Sequence, residues 1–500
     1  MTMQLLSRHG ASRTLSIFAL AAVLAVLGTL PANGQSLFRQ ISQDSFTNGS
    51  SQHMTEVEPG AYAWGPVIVA AFQVGRIYGG GGADIGWATS LNGGIAWNNG
   101  YLPGLTQWWQ GGTNSAASDA MVGYNAKYGK WLITTLDIGG TYTVSVSRSS
   151  DAIHWDNPIY VVTNQDTDKN WIACDNSPIS PYYGNCYVEW DNLAEGDVLY
   201  MSTSTDGGLT WGTPKRTANV DYGLGGNPVV QPNGNVVVPF EDFNGGISAF
   251  MSTNGGQSWT GAIQISSAPS HSPAGGLRDF GLPSTAVDGG GTVYVAWEDC
   301  RYESGCSAND MVFSSSTDGT HWSAVSRIPL DAIGSNVDHF IAGLGADAHT
   351  SGSSAHLGLT YYYYPVSNCG SNCQLFAGFS LSRDGGQTWT PGRQLGPSMQ
   401  LSWLPQTVSG RMVADYVTTV FPAGGRAFPV YSLAFQPLNG LFQQAIYTAS
   451  YGYSQSDILE TPVSSANDKP IPGAKSDHPM RTYYDMDNYR EVQRKPVPPR

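Results

Sequence analysis

Charged side chains are scarce in this sequence and are concentrated in a few short stretches. Only 12% of the 500 residues are Asp, Glu, Lys or Arg. The stretches richest in charge, among them "HMTEVEPG", "DTDKNW", "GLRDFG" and "GRMVADY", each precede a strand-like segment. In such a chain a buried charge needs a partner or a chemical task. The candidate carboxylates are Glu56, Glu58, Asp119, Asp168, Asp279 and Asp415, and the candidate cations are Lys169, Arg278 and Arg411.

These residue types point to acid–base chemistry on a bound ligand. Paired carboxyl groups can donate and accept protons at a glycosidic bond, while a guanidinium fork matches an anionic group. We predict catalytic roles for Glu56 and Asp279. The predicted substrate-binding residues are Asp168, Lys169, Arg278 and Arg411. In the alternative interpretation, the same side chains cap turns and pair with one another across an axis.

Aromatic clusters are a second kind of candidate binding residue. Trp108 and Trp109 in "QWWQGG" could supply flat platforms for sugar rings, as could the run from Tyr361 to Tyr364. Most of the 15 tryptophans stand in strand-like segments or in a repeat. For them a place in the core is the alternative to ligand contact.

Other chemistries find little support in the sequence. The segments "DTDKN" and "DMDNY" have spaced aspartates but lack the full ligand set of a Ca²⁺ loop. We therefore expect no metal site and no cofactor. The net charge of −14 argues against nucleic acid as a partner, since phosphates require clustered Lys and Arg. The expected partner is an extracellular glycan or glycoconjugate, bound by a monomer.

The elements that position these residues are set by a repeat. Six related octapeptides or heptapeptides end in tryptophan: "SLNGGIAW", "SSDAIHW", "STDGGLTW", "STNGGQSW", "STDGTHW" and "SRDGGQTW". Their last residues are Trp97, Trp155, Trp211, Trp259, Trp322 and Trp389. The spacing, about 50 to 70 residues, is typical of a repeated unit of several strands.

Each repeat has the same internal order. Three strand-like segments precede the tryptophan box, for example "NPVVQP", "GNVVVPFED" and "ISAFMS", and a short fourth segment follows it. Small turns followed by apolar alternation predict hairpins. Four-stranded antiparallel sheets repeated around an axis form a β-propeller, so the fold class is all-β.

The box resembles the Asp box of the sialidase/neuraminidase superfamily, also called the BNR repeat. The resemblance spans Ser90 to Trp389. It implies that the boxes lie on outer turns between the third and fourth strands of each blade, away from the catalytic face. It also implies an exo-glycosidase whose three arginines bind a sugar carboxylate, with a tyrosine–carboxylate nucleophile and an aspartate acid/base.

The last blade carries the residues that match this scheme best. Asp415 and Tyr416 follow Arg411 where the family nucleophile occurs, so we predict that both are catalytic. The family's Arg-Ile-Pro tripeptide stands at Arg327–Pro329, after the fifth box, and no third arginine stands at a blade entrance. Function can therefore differ from that of the family.

The number of blades depends on a segment without a box. The stretches "RMVADYVTTVF", "RAFPVYSLAF" and "FQQAIYTAS" predict three strands, which gives seven blades of four strands. The missing outer strand would come from the N-terminal "SLFRQIS", which would close the ring and remove exposed sheet edges. A six-bladed sialidase-type propeller is the alternative.

Both ends of the chain differ from the repeats. Residues 1–34 combine two arginines with an apolar run and small residues, which predicts a signal peptide. Residues 35–453 form the propeller, and the polar, proline-punctuated residues 454–500 predict a disordered tail. The cysteines form three local pairs, Cys174/Cys186, Cys300/Cys306 and Cys369/Cys373, which predict disulfides in an oxidising compartment; metal binding is the competing interpretation.

The functional hypothesis is a secreted sialidase-like propeller that acts on extracellular glycans with carboxylate acid/base catalysis. No second apolar run follows the N-terminal one, so no membrane span is expected in the mature chain. Two alternatives stay open. One is a non-catalytic propeller that binds carbohydrate or protein, and the other is a glycan lyase with a base beside a uronic acid.

Overall fold

The chain is built almost wholly from short antiparallel β-strands. The computed structural model describes residues 38–139, 142–163, 165–454 and 461–471. The predicted signal peptide and most of the predicted C-terminal tail lie outside these residues. Within the described part, no helix is long and apolar enough to cross a bilayer.

Strands follow one another with little intervening helix. The first half of the chain contains β1 (Phe38–Gln40), β2 (Glu56–Trp64), β3 (Val67–Arg76), β4 (Gly82–Ser90), β5 (Asn98–Tyr101), β6 (Ala116–Asn125), β7 (Lys130–Ile138), β8 (Tyr142–Ser149), β9 (Ile159–Val162), β10 (Thr167–Cys174), β11 (Cys186–Asn192), β12 (Val198–Ser204), β13 (Lys215–Arg216), β14 (Gly223–Leu224) and β15 (Val229–Val230).

The second half continues the same pattern. It contains β16 (Val236–Asp242), β17 (Gly246–Ser252), β18 (Ile263–Ser267), β19 (Ser284–Val287), β20 (Val293–Asp299), β21 (Asp310–Ser316), β22 (Ser326–Arg327), β23 (Asp338–Ala346), β24 (Leu357–Tyr364), β25 (Gln374–Ser382), β26 (Arg393–Gln394), β27 (Met399–Gln400), β28 (Gln406–Thr407), β29 (Gly410–Arg411), β30 (Thr418–Val420), β31 (Phe428–Leu438) and β32 (Leu441–Ala449). Short 3-10 turns lie at Leu193–Glu195, Ala274–Gly276, Ser304–Cys306, Gly352–Ser354 and Leu401–Trp403.

The strands are grouped into antiparallel sheets, mostly of four strands in chain order. The groups are β2–β5, β6–β9, β10–β13, β14–β18, β19–β22, β23–β27, and β30–β32 with β1. A single pair, Gly82 with Ala117, links the first two groups, and β28 and β29 form a separate small hairpin. The first strands of the groups lie side by side: β2 beside β6, β6 beside β10, β19 beside β23, β23 beside β30, and β30 beside β2.

The second strands show why the sequence forms these sheets. In β16, "VVVPFED", β-branched residues alternate on two faces, and nearly every position is buried because neighbouring sheets pack on both sides. A tight turn precedes it, in which Gly234 has a φ of 87° and donates its N–H to the Gln231 carbonyl oxygen. Positive φ favours glycine at this point of the hairpin.

The tryptophan boxes lie between the third and fourth strands, where the sequence places them. In the box after β12, Asp206 Oδ1 accepts hydrogen bonds from the Leu209 and Thr210 amides at 3.0 and 2.9 Å. The two short boxes differ, because His154 and His321 place Nδ1 2.8 Å from the carboxylates of Asp151 and Asp318. The boxes are therefore self-contained turns, held by local hydrogen bonds.

The last sheet contains strands from both ends of the propeller segment. β1 pairs antiparallel with β32, and Phe38 stands opposite Ala449. This pairing confirms the prediction that the N-terminal "SLFRQIS" supplies the outer strand of the box-free group.

Three disulfides join the predicted pairs, Cys174–Cys186, Cys300–Cys306 and Cys369–Cys373. The first crosses from β10 to β11, since the two cysteines are register partners. Farther along the chain, residues 461–471 lie against two sheets. Val463 pairs with the backbone of Trp389, and Asp468 Oδ2 lies 3.7 Å from Arg327 Nη1.

Candidate functional site

Three charged residues occupy the same unusual backbone position in neighbouring sheets. Glu58 in β2, Asp119 in β6 and Lys169 in β10 have φ angles of 55°, 46° and 45°. Each stands where the register with the second strand shifts, as in a β-bulge. A positive φ is strained for these residue types and marks functional positions more often than ordinary strand positions. The bulges bring the three side chains together.

Lys169 is the centre of a buried charge cluster. Its Nζ atom lies 2.8 Å from Asp415 Oδ2, 3.4 Å from Asp119 Oδ1 and 3.6 Å from Glu58 Oε1. The four residues come from four different sheets or their entrances. The side chain of Lys169 is only 7% exposed, and those of its partners are 2% exposed or less. These charges are therefore paired away from water.

Arg278 binds the same carboxylate from another sheet. Its Nε donates to Asp415 Oδ1 at 2.7 Å and its Nη2 to Asp415 Oδ2 at 2.5 Å. The guanidinium also stacks on Phe280, 4.6 Å from the ring centroid. Burial by itself would raise the pKa of Asp415, but Arg278 and then Lys169 hold that pKa well below its usual range. Asp415 is therefore ionised.

Glu58 has the opposite protonation state. Burial raises its pKa well above the ordinary value, and Lys169 only partly offsets this effect. Gln73 donates a hydrogen bond to Glu58 Oε2 and holds the carboxyl in place. The cluster thus contains a protonated acid and an ionised one, which is the arrangement that separates proton donors from acceptors in many hydrolases.

Tyr416 lies beside this cluster. Its hydroxyl donates to Asp119 Oδ1 at 3.4 Å, and its ring packs edge-on against Trp171. Burial, together with the neighbouring carboxyl groups of Glu58 and Asp119, raises the pKa of Tyr416 well above its ordinary value. The phenol is therefore neutral, and its hydroxyl is directed at Asp119.

A second carboxyl pair adjoins the first through the peptide backbone. Asp279, which directly follows Arg278 and is half-buried, hydrogen-bonds Glu298 in β20. Burial and the neighbouring Asp279 raise the pKa of Glu298 well above its ordinary value. The Ile341 amide donates to Glu298 Oε2 at 3.1 Å. The carboxyl of Glu298 therefore favours its protonated form.

Acidic residues recur at one position near the ends of the second strands. In three sheets, one residue of the second strand pairs with the serine of the box: Cys186, Val236 and Val293. Five residues after each of them lies an acidic residue, Asp191, Glu241 and Glu298, respectively. None of the three is among the site residues predicted from the sequence. The signal was present, since "EWDN", "FED" and "WED" end three successive second strands.

Asp168 lies at the same end of the third sheet. It is half-buried and stands opposite Asp191 across β10 and β11. Burial raises the pKa of Asp168 well above its ordinary value, and the adjacent Lys169 lowers it in part. The structure thus brings together five of the residues predicted from the sequence, namely Asp168, Lys169, Arg278, Asp415 and Tyr416, with Asp279 beside them.

Two predicted site residues point elsewhere. Glu56 accepts a hydrogen bond from Ser42 Oγ at 2.7 Å, and burial raises its pKa to about 8. Arg411 Nη1 donates to the Leu404 carbonyl oxygen at 2.8 Å, while its own carbonyl oxygen accepts the Arg278 amide. Arg411 therefore positions Arg278 through the backbone.

The two tryptophans predicted to bind substrate, Trp108 and Trp109, have different surroundings. Trp108 is 37% exposed, and its Nε1 donates to the Ser115 carbonyl oxygen at 3.0 Å. Trp109 packs edge-on against Tyr101 and Phe46. Of the two, Trp108 is the one with a face open to solvent. Tyr361, Tyr362 and Tyr364 are buried, whereas Tyr363 is only partly buried.

One group of described residues has metal-ligand types close together, outside the cluster. Side-chain atoms of Asp310, Asp331 and His339 lie within 4.8 Å of one another. Arg327 already contacts both carboxylates, through Nε to Asp310 at 2.6 Å and Nη2 to Asp331 at 2.7 Å. A metal ion would be repelled by this guanidinium, so the donor set fits an ion-pair network.

Comparison with known proteins finds likeness at the level of structure alone. No protein-family model and no curated protein sequence matches the chain. An intramolecular trans-sialidase from Ruminococcus gnavus superimposes with a TM-score of 0.40 at 12% identity, over 83% of this chain and 98% of that one. The NanB sialidase from Streptococcus pneumoniae gives 0.40 at 12% identity, over 84% and 71% of the two chains. An ulvan lyase gives 0.46 at 11% identity, over 87% and 100%.

Proposed function

We propose that this chain is a secreted, seven-bladed β-propeller that hydrolyses glycosidic bonds in an extracellular glycan. One observation carries the proposal. The consecutive residues Arg278 and Asp279, at the entrance of one sheet, contact two carboxyl groups whose pKa values are shifted in opposite directions. Arg278 binds the ionised Asp415, and Asp279 binds the proton-retaining Glu298. Adjacent carboxyl groups with divergent pKa values are what general acid–base hydrolysis requires.

The arrangement of first strands supports the seven blades. The first strands β2, β6 and β10 contact one another in chain order, as do β19, β23 and β30. β30 lies beside β2, and in the fourth group β15 lies beside both β10 and β19. The N-terminal strand β1 completes the last sheet. A six-bladed propeller would leave one sheet as an appendage; the contacts of β15 with β10 and β19, and of β30 with β2, favour seven.

We assign the roles from the contacts. Glu298, whose pKa is raised, supplies a proton through its hydrogen bond with the half-buried Asp279, which passes it to the leaving glycosidic oxygen. Tyr416 attacks the anomeric carbon while its proton passes to Asp119, which accepts its hydrogen bond in the resting state. The ionised Asp415 stabilises the positive charge that develops on the sugar ring. Water then attacks the anomeric carbon and gives a proton to Asp279, the bond to Tyr416 breaks, and the released phenolate regains its proton from Asp119.

The charges favour a neutral glycan. Lys169 and Arg278 are already bound to carboxylates, and the Arg411 side chain is turned to a carbonyl oxygen. Acidic groups outnumber cations at this end of the described sheets, so a uronic or sialic acid would meet repulsion. The predicted role of Arg278 in substrate binding becomes, in this proposal, that of holding Asp415 ionised.

The test is turnover by the chain that begins at residue 35. It is assayed with chromogenic glycosides, sialosides and neutral polysaccharides, together with the variants Asp279→Asn and Tyr416→Phe. Each variant should lower kcat by about 10²- to 10⁴-fold, the usual contribution of a proton-transfer group. Asp206→Asn, in an outer box, is the matched control and should keep full activity. Full activity of Asp279→Asn would exclude the assigned mechanism.

A second candidate function is glycan binding without catalysis. It is favoured by the burial of the cluster, since Asp415 and Arg278 are 2% and 3% exposed. No turnover of any substrate, combined with glycan-array binding that survives Asp279→Asn, would support this function over hydrolysis.

A further inference from the structure

A side pocket lies away from the charge cluster, between the third and fourth sheets. Its volume is about 660 Å³, within the range of pockets that hold small ligands. The wall residues come from the loop between β13 and β14, the turn between β16 and β17, and the start of β18. The loop and the turn are at the end of the sheets opposite the boxes, the end that carries the entrances of the first strands. The pocket and the cluster therefore open toward the same face.

Aromatic rings form the apolar part of this pocket. Tyr222 is 49% exposed, and Phe243 is half-buried. Phe240 lies behind them and is fully buried in the core of the fourth sheet. An exposed ring face beside a concave wall is suited to the C–H face of a sugar.

The polar part consists of amides. Asn219, Asn244 and Gln264 line the pocket with exposed side chains. Their side chains make no hydrogen bond with the part of the chain that the structure describes, so their donors and acceptors are available to a ligand. An amide offers both a donor and an acceptor, as the hydroxyl groups of a sugar require.

The charged residues that line the pocket indicate whether its ligand is neutral or anionic. Asp221 and Asp242 line it, and no lysine or arginine is among the described lining residues. Asp242 is satisfied locally, since its oxygens accept bonds from Ser248 Oγ and two backbone amides. Asp221 Oδ2 accepts the Ala262 amide at 2.8 Å. Carboxylates without cations disfavour an anionic sugar.

The loop that carries Tyr222 is held in a strained conformation. Val220 has a φ of 56°, a value that β-branched residues rarely adopt. Thr217 fixes the turn, because its carbonyl oxygen accepts the Val220 amide at 3.1 Å and its Oγ1 accepts the Asp221 amide at 2.8 Å. Such strain persists only where the surroundings enforce it. The ring and amide positions are thus set before a ligand arrives.

We propose that this side pocket is a second glycan site, which binds a neutral saccharide unit of a polymer through Tyr222, Asn244 and Gln264. The proposal does not depend on hydrolysis at the cluster. It requires only that the chain meets polymeric glycans, and the pocket would then hold a unit remote from the axis.

Binding to soluble polymers tests this site. The chain from residue 35 is run in native gels that contain xyloglucan, galactomannan or laminarin, with polygalacturonate as the anionic comparison. At least one neutral polymer should retard it, and Tyr222→Ala and Asn244→Ala should each weaken that retardation about ten-fold, the effect of losing one well-packed contact. Tyr160→Ala is the control, because Tyr160 is equally exposed at 49% but lies on β9.

The outcomes separate this site from the proposed hydrolysis. Tyr222→Ala should raise KM for the polymer while kcat on a small chromogenic glycoside stays unchanged. Asp279→Asn should lower kcat by about 10²- to 10⁴-fold and keep retardation. Two results with neutral polymers would overturn the proposal: none of them retards the chain, or Tyr222→Ala is retarded as strongly as the unmodified chain. The proposal also fails if Tyr222→Ala weakens the retardation by polygalacturonate and not by a neutral polymer.

Discussion

At the scale of single residues, each charged side chain of the cluster depends on its partners for stability. Lys169 faces three carboxylates, and one of them, Asp415, is 246 residues away in the sequence. Local charge enrichment could therefore identify Lys169 and Asp415 as candidates, but not as partners. The pairing depends on which sheets become neighbours. The same reason explains Glu56, which has the right residue type and stands two residues from Glu58 but bonds to Ser42.

Removal of the central cation should leave several carboxyl groups uncompensated. Lys169→Met should lower the free energy of unfolding by about 3–5 kcal/mol, the usual penalty for breaking a buried ion pair from one side. Urea unfolding followed by tryptophan fluorescence measures this loss. Lys215→Met is the control, because Lys215 is exposed on β13. Equal losses in the two variants would contradict the central position of Lys169.

Glu56 should make stability depend on pH. Burial raises its pKa from 4.5 to about 8, so between these values the folded chain keeps a proton that the unfolded chain has lost. The contribution of Glu56 to the free energy of unfolding is full below pH 4.5 and falls as the pH rises toward about 8. As the pH rises from about 5 to about 8, the free energy of unfolding of Glu56→Gln should therefore fall less than that of the unmodified chain.

Unfolding midpoints in urea across that pH range measure the difference. Glu195→Gln serves as the control, since Glu195 is partly exposed beside Arg216. Parallel curves for Glu56→Gln and the unmodified chain would show that Glu56 does not retain a proton on folding.

At the scale of elements, the repeats revealed the strand order but concealed the bulges. Box spacing and hairpin turns predicted the order of strands in six groups, and the turn between the third and fourth strands. Alternation of apolar residues has a period of two, and one inserted residue reverses the faces after it. The sequence therefore marked Glu58, Asp119 and Lys169 as charged candidates but did not reveal their backbone conformation. Their conformation became visible only from the register shifts.

The boxes should affect stability and leave the site unchanged. Asp206→Ala removes the acceptor of the Leu209 and Thr210 amides and should lower the free energy of unfolding by about 1–2 kcal/mol. Asp206→Asn should be nearly neutral, because Asn92 and Asn254 accept the equivalent amide bonds in other boxes. Thermal unfolding compares the two variants. A loss as large in Asp206→Asn would refute this account of the turn.

At the scale of the whole molecule, the arrangement joins distant parts of the chain. The cluster combines side chains from the first, second, third, fifth and last sheets, so its geometry depends on how those sheets sit together. β1 brings the start of the described chain to the last sheet, and Ile41, just beyond it, is 1% exposed. The sequence predicted this pairing because one group lacked an outer strand. It could not predict the contacts of residues 461–471, whose composition resembles that of a tail.

Deletion of the N-terminal strand should therefore weaken the entire sheet arrangement. A chain that begins at residue 42 lacks Phe38, which packs on Tyr447, and Ile41, whose burial alone is worth about 1.5–3 kcal/mol. It also exposes the backbone edge of β32, which favours association between molecules. Compared with the chain from residue 35, it should have a lower Tm and should form oligomers in size-exclusion chromatography. A monomer with unchanged Tm would show that β1 is dispensable, and the last sheet would then have to be stable with three strands.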